Sequence, residues 1–152
     1  MKSIDALSEA VIGEAIRMHR ALGPGLLESV YELVLAEALA RKGYRVGRQV
    51  PVPIEYDELR FAVAFRIDLL VEDRLIIEVK SVEDLKRIHA KQLLTHLRLM
   101  KQPVGLLLNF SANTMKEGIR RLVNDYRPEQ PPSASSAVSA RQTIQETDGC
   151  ST

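Results

Sequence analysis

Two neighbouring apolar stretches, Phe65-Arg66-Ile67-Asp68-Leu69-Leu70-Val71 and Leu75-Ile76-Ile77-Glu78-Val79-Lys80, carry two carboxylates and a lysine where the pattern otherwise suits a core. Ionised groups are costly to bury unless they are paired or bind a metal. Any fold of this chain must therefore give Asp68, Glu78 and Lys80 a partner. Read as strands, the two segments fix the geometry, because side chains alternate faces with period two. Asp68 then shares a face with Ala62, Ala64, Arg66 and Leu70, while Phe61, Val63, Phe65, Ile67, Leu69 and Val71 form a continuous core face. On the second strand Glu78 and Lys80 share a face with Ile76, and Leu75, Ile77 and Val79 take the other.

The polar triplet Glu72-Asp73-Arg74 can serve as a hairpin loop. Val71 then pairs with Leu75, and counting inward sets Asp68 across from Glu78. Opposed cross-strand residues have Cβ atoms ~5 Å apart, and like charges there destabilise the pair. A divalent cation between the carboxylates would remove that penalty. The other solution is an ion-pair patch, with Asp68 on Arg66 or Lys80 and Glu78 on Lys80, of the kind common on half-open sheets and individually weak. The strand pattern leaves both open.

The rest of the chain bounds the answer. A length of 152 residues allows one domain with a real core. No apolar run approaches the ~18 residues of a membrane span, and the first residues lack a signal-peptide core, so a cytoplasmic location and no membrane are expected. The single cysteine, Cys150, excludes an internal disulfide and a cysteine-based zinc or iron–sulfur site. With a net charge of +1 there is no overall basic field, so nucleic acid would have to be held by a local patch.

Periodicity and breakers predict helices over residues 5–20, 26–42, 83–101 and 113–124. Strands are expected over 44–50, 52–56, 59–71, 74–80 and 104–110, with Pro51 and Pro53 pushing their stretch to a sheet edge. From Arg127 the composition turns to Pro, Ser, Ala, Gln and Thr, so the organisation expected is a domain over 1–126 and a disordered tail over 127–152.

Two helices carry anomalies. Glu28 shares a helical face with Tyr31, Glu32, Leu35 and Leu39, which predicts a half-buried acid; a first-turn acid favoured by the helix dipole is the other reading. Glu32, one turn on, is expected to be solvated. With Leu85 at 0°, the apolar arc of the 83–101 helix holds Leu85, Ile88, Leu93, Leu99 and Met100, but His89, Gln92 and His96 fall inside it at about 40°, 340° and 20°. For the two histidines a hydrogen bond at the edge of the core is the first expectation, ahead of ligand or proton-transfer roles. Arg87, Lys91, Arg98 and Lys101 occupy the opposite, solvated side.

An acid on one strand, a short loop, then acid-x-lysine on the next resembles the PD-(D/E)XK nuclease superfamily, here as Asp68 followed by Glu78-Val79-Lys80. Upstream, Gly25-Leu26-Leu27-Glu28-Ser29-Val30-Tyr31 resembles the signature of the GxxExxY family within that superfamily, and Gly105-Leu106-Leu107-Leu108-Asn109-Phe110 resembles its last strand. The likeness spans about residues 5–125. It implies an α/β fold with a restriction-endonuclease-like core, a mixed central sheet flanked by helices. It also implies a Mg²⁺ (or Mn²⁺) site with Asp68, Glu78, the main-chain carbonyl of Val79 and the helix-borne Glu28 as metal-site residues. Gln92 is similar to the glutamine of the QxxxY motif in RecB-like members, with His96 where the tyrosine would stand.

Mg²⁺ is a hard cation held by one or two carboxylates, waters and substrate phosphate. Lys80 suits the orientation of a water or the stabilisation of the transition state, and Gln92 the positioning of phosphate or water. The expectation is thus a Mg-dependent phosphodiesterase of nuclease type, an endonuclease on nucleic acid, with DNA ahead of RNA and a homodimer left open. The alternatives are a non-catalytic nucleic-acid- or protein-binding module retaining the fold, and a dimerisation domain whose charges are an ion-pair patch.

Overall fold

The computed structural model describes residues 2–126; the tail expected over 127–152 lies outside the described residues. Helix α1 (Ile4–Leu22) is capped by Ser3, whose hydroxyl accepts from the N–H of Ala6, and stops at Gly23 with φ 71°. Helix α2 (Glu28–Arg41) follows. Then come β1 (Val46–Tyr56), β2 (Leu59–Val71), β3 (Leu75–Lys80), α3 (Arg87–Met100), β4 (Val104–Asn109), the single turn α4 (Met115–Gly118) and β5 (Ile119–Val123). The sheet order is β1-β2-β3-β4-β5. Neighbours run antiparallel except β3 and β4, which are parallel across the α3 crossover. This is the mixed sheet with flanking helices of a restriction-endonuclease-like α/β core.

Each face of the sheet has its own core. Under α1 and α2 lie Leu69, Val71, Leu75, Ile77, Val79, Val104, Leu106 and Leu108; under α3 lie Val52, Ile67, Leu70, Ile76 and Leu107, packed against Leu93 and Leu97. Both central strands are thus covered on both faces, which is why they read as nearly unbroken apolar runs. α3 sits so close that a Cβ on Gly105 would lie 3.0 Å from Leu93 Cδ1 and 3.1 Å from Leu97 Cδ2.

The β2–β3 hairpin has the expected register, Val71 with Leu75, Leu70 with Ile76 and Leu69 with Ile77. Its loop is fixed from outside: Glu72 accepts the Arg45 N–H at 2.7 Å, and that bond holds its carboxyl below the ordinary range.

Four expectations are corrected. The stretches 44–50 and 52–56 form one edge strand, β1, whose register with β2 shifts between Val52 and Ile54, around Pro53. The continuous core face of β2 does not exist: Leu69 and Val71 pack under α1 and α2, but Phe65 and Ile67 belong to the α3 side, and Phe61 and Val63 are half-exposed. The alternation is broken at Asp68, opposite Gln49, which has φ 49°.

The helix expected from residue 83 begins at Arg87. Asn109, 2% exposed, accepts from Val82 N–H at 3.0 Å and donates to the Val82 carbonyl at 2.8 Å, which keeps the chain after β3 out of the helix. Finally, the helix expected over 113–124 is one turn followed by β5, which takes the open edge of β4.

Candidate metal and phosphodiester site

Pairing of β2 with β3 ends at Leu69 and Ile77, and the next position along the register sets Asp68 beside Glu78. There a side chain takes over from the backbone: Asp68 Oδ2 accepts the Val79 N–H at 2.9 Å. Asp68 Oδ1 accepts from Gln49 Nε2 at 3.4 Å, and the same nitrogen reaches both oxygens of Glu32, at 2.9 and 3.0 Å. Arg66 donates to the Gln49 carbonyl at 3.2 Å and so braces that left-handed residue from the neighbouring strand.

Glu78 follows Ile76 onto the α3 face and is 8% exposed. His96 Nδ1 lies 2.8 Å from its Oε1, and the imidazole stacks on Phe65 with centroids 4.1 Å apart and planes within 9°. Burial raises the Glu78 carboxyl above its usual pKa, and the charge of Asp68 raises it further; the hydrogen bond to His96 and the charges of His96 and Lys80 act against the rise. Lys80 closes the strand on the same face, partly buried. No ion pair among the described residues joins Asp68 or Glu78 to Arg66 or Lys80, so the ion-pair patch in that form is absent.

Glu28 reaches the end of β3 by a different route. It opens α2, and its Oε2 accepts the Ser81 N–H at 3.3 Å, while Ser81 Oγ donates to the Leu26 carbonyl at 2.8 Å. The start of α2 is thereby tied to the residue following Lys80. Among the described residues no three of His, Cys, Asp and Glu form a metal-binding group, so Glu28 does not join Asp68 and Glu78 in one cluster. Two carboxylates at the end of one hairpin ladder, one of them buried, still match a cation that takes one or two carboxylates and keeps its waters. The donor set fits Mg²⁺ or Mn²⁺ on that ground.

Sequence reasoning misplaced or missed several side chains. Glu32, expected in solvent, is 5% exposed, held by Gln49 and, at 3.5 Å, by Arg48. The helical wheel of α2 sets Glu32 with Tyr31, Leu35 and Leu39, all buried, so the signal for its burial was present in the sequence. Gln49 was not singled out, and a glutamine between Arg48 and Val50 offers no signal. Gln92, expected in the core-facing arc, is exposed, one turn before His96. The arc had been centred on Leu85, which precedes the helix; the buried residues are Leu93 and Leu97. His96 enters the site, whereas His89 accepts the Lys86 N–H at 3.0 Å and belongs to the helix start.

Searches of the curated proteins and of the solved structures found no match. A family model described as the PD-(D/E)XK nuclease superfamily matches residues 5–122 and therefore runs from the first turn of α1 into β5. With an acid at the end of the β2–β3 pairing and acid-x-lysine on β3, the chain belongs to the PD-(D/E)XK nuclease superfamily.

Proposed function

We propose that this chain is a Mg²⁺- or Mn²⁺-dependent phosphodiesterase of the GxxExxY branch, cutting nucleic acid internally in the cytoplasm, with DNA as its first substrate and RNA its second. The observation that carries this reading is the Asp68–Glu78 pair, where the backbone ladder stops and the Glu78 carboxyl, raised first by its burial, also meets the charge of Asp68. No helix among the described residues is long and apolar enough to cross a membrane.

Asp68, Glu78 and the main-chain carbonyl of Val79 hold the cation, and Glu28 orients a water at the end of β3. A divalent cation bound there lowers the pKa of its water and neutralises charge developing on the phosphate. Lys80 stands on the Glu78 face to position the attacking water and to offset the negative charge of the transition state. Gln92, exposed one turn from His96, meets a phosphate oxygen. Water attacks phosphorus, the phosphorus–oxygen bond to the leaving sugar breaks, and the leaving oxygen collects a proton.

A second reading has its own support. Each acid already has protein partners, Asp68 in Val79 and Gln49 and Glu78 in His96, as in a non-catalytic module that keeps the fold. One experiment separates the two: calorimetric titration of Mg²⁺ and Mn²⁺ into wild type and Asp68→Ala, with both assayed on single-stranded, duplex and branched DNA and on RNA. Metal binding and cleavage lost together in the variant support the phosphodiesterase. Absence of both from wild type refutes it.

A further inference from the structure

We infer that the outer half of the β1–β2 hairpin is the surface through which two copies of this chain pair about a two-fold axis. The inner half is anchored: Val52 is buried and Phe65 packs on the α3 core. Beyond them the ribbon runs on to a turn at Asp57 and Glu58, both with positive φ, and loses its cover. Tyr56, Leu59, Phe61 and Val63 are 74, 56, 50 and 50% exposed. Cross-strand partners share a face, so Tyr56–Leu59 and Ile54–Phe61 form one apolar surface beyond the register shift that separates them from the anchored pair Val52–Phe65.

A two-stranded ribbon with nothing behind it is marginal in water. Four large side chains at that exposure present on the order of 500 Å² of apolar surface per copy, at the upper end for a monomer. A twofold pairing would bury on the order of 1,000 Å² in total, the lower bound for a specific interface.

Charge selects the occupant. At the tip Glu55 is matched by Arg60 at 2.8 Å, while Asp57 and Glu58 stand exposed, so the tip is acidic and repels a phosphate backbone. α3 is the reverse: it contains Arg87, Lys91 and Arg98, all exposed, and no acid. With the axis through the middle of the ribbon, the acidic tip of one copy falls beside the ribbon root of the other, where Phe65 stacks on His96 of α3. Ile88 and Leu99, 53 and 51% exposed on that helix, extend the apolar contact. The surface is complementary to itself in both shape of polarity and sign of charge, and the pairing stands independently of any nuclease chemistry.

The test is sedimentation equilibrium of the full chain up to about 100 µM, a range that reveals even a weak dimer. Wild type is expected to dimerise. Phe61→Glu is expected to be monomeric with an unchanged circular-dichroism spectrum and a melting temperature that, unlike that of wild type, does not rise with concentration. Asp57→Lys combined with Glu58→Lys is expected to weaken the dimer about tenfold at low salt and less at high salt. In a Cys150→Ser background, Val63→Cys should form an intermolecular disulfide under mild oxidation, and Glu9→Cys on the exposed side of α1 should not. A wild type that stays monomeric, a dimer that survives Phe61→Glu, or equal cross-linking at both cysteines overturns the inference. So does a monomer whose ribbon is needed to retain a DNA duplex, which would make nucleic acid the occupant.

Discussion

Replacing Gln49 by alanine tests how the acidic end of the sheet is assembled. The amide is the main support of Glu32: its Nε2 reaches both carboxylate oxygens, at 2.9 and 3.0 Å, and Arg48 Nε follows at 3.5 Å. Glu32 is 5% exposed, so water cannot replace the lost donor without opening the helix–sheet contact. A hydrogen bond to a charged group contributes about 1.5–3 kcal/mol, and loss of a buried partner leaves that penalty standing. Gln49→Ala keeps the left-handed backbone, whereas Gln49→Gly loses the same amide but recovers about 1 kcal/mol of backbone strain. The expected costs are about 2 kcal/mol for alanine and about 1 kcal/mol for glycine. Urea unfolding at constant m-value reads both, and melting should fall by about 3–5 °C per kcal/mol. The amide also touches Asp68 at 3.4 Å, so Mg²⁺ affinity should drop about tenfold, as for other supports of metal ligands. An alanine variant within about 0.5 kcal/mol of wild type, or a glycine variant less stable than alanine, refutes the reasoning.

Glu78→Gln changes the pH dependence of stability in metal-free buffer. Burial raises the folded carboxyl above the ordinary glutamate value of 4.5, so the native state holds the proton more tightly than the unfolded chain. This group's contribution is fully present below 4.5 and is lost as pH rises through the raised folded value. The variant should therefore gain on wild type as pH climbs through that window; a stability difference flat with pH contradicts the burial argument. Asn109→Ala removes both bonds to Val82 and should cost about 2–3 kcal/mol, with faster amide exchange over 81–86. Gly118→Ala drives a Cβ into the Asn109 carbonyl oxygen; a loss of about 2 kcal/mol or more by chemical denaturation is expected.

The β2–β3 hairpin was legible because its cause is local: a polar triplet between two alternating runs fixes the register, and alternation puts Glu78 and Lys80 on the Ile76 face. What was not legible depends on partners far away in sequence. The switch of faces at Asp68 is imposed by Gln49 on another strand and by the Val79 amide. The start of α3 is set by Asn109, more than twenty residues from the Val82 backbone it holds. Residues 113–124 carry a good helix start in Thr114 and Glu117, yet Ile119, Leu122 and Val123 serve better as strand against the uncovered edge of β4. Glu28 was legible as half-buried, and so was the burial of Glu32, which shares its helical face with Tyr31, Leu35 and Leu39; what the sequence did not show was the distant partner, Gln49, that lets a carboxylate stay there.

The Val79 amide, given to a carboxylate in place of a strand, makes a built-in spectroscopic probe. Its proton sits 2.9 Å, donor to acceptor, from one of the two acids proposed to hold the cation, while its own side chain is locked in the core. Any cation or proton that takes charge from Asp68 weakens that one bond and moves that one resonance, leaving the β3 neighbours as internal references. A single ¹⁵N-labelled valine would thus report occupancy of the site with no substrate, no cleavage and no guess about which nucleic acid belongs there.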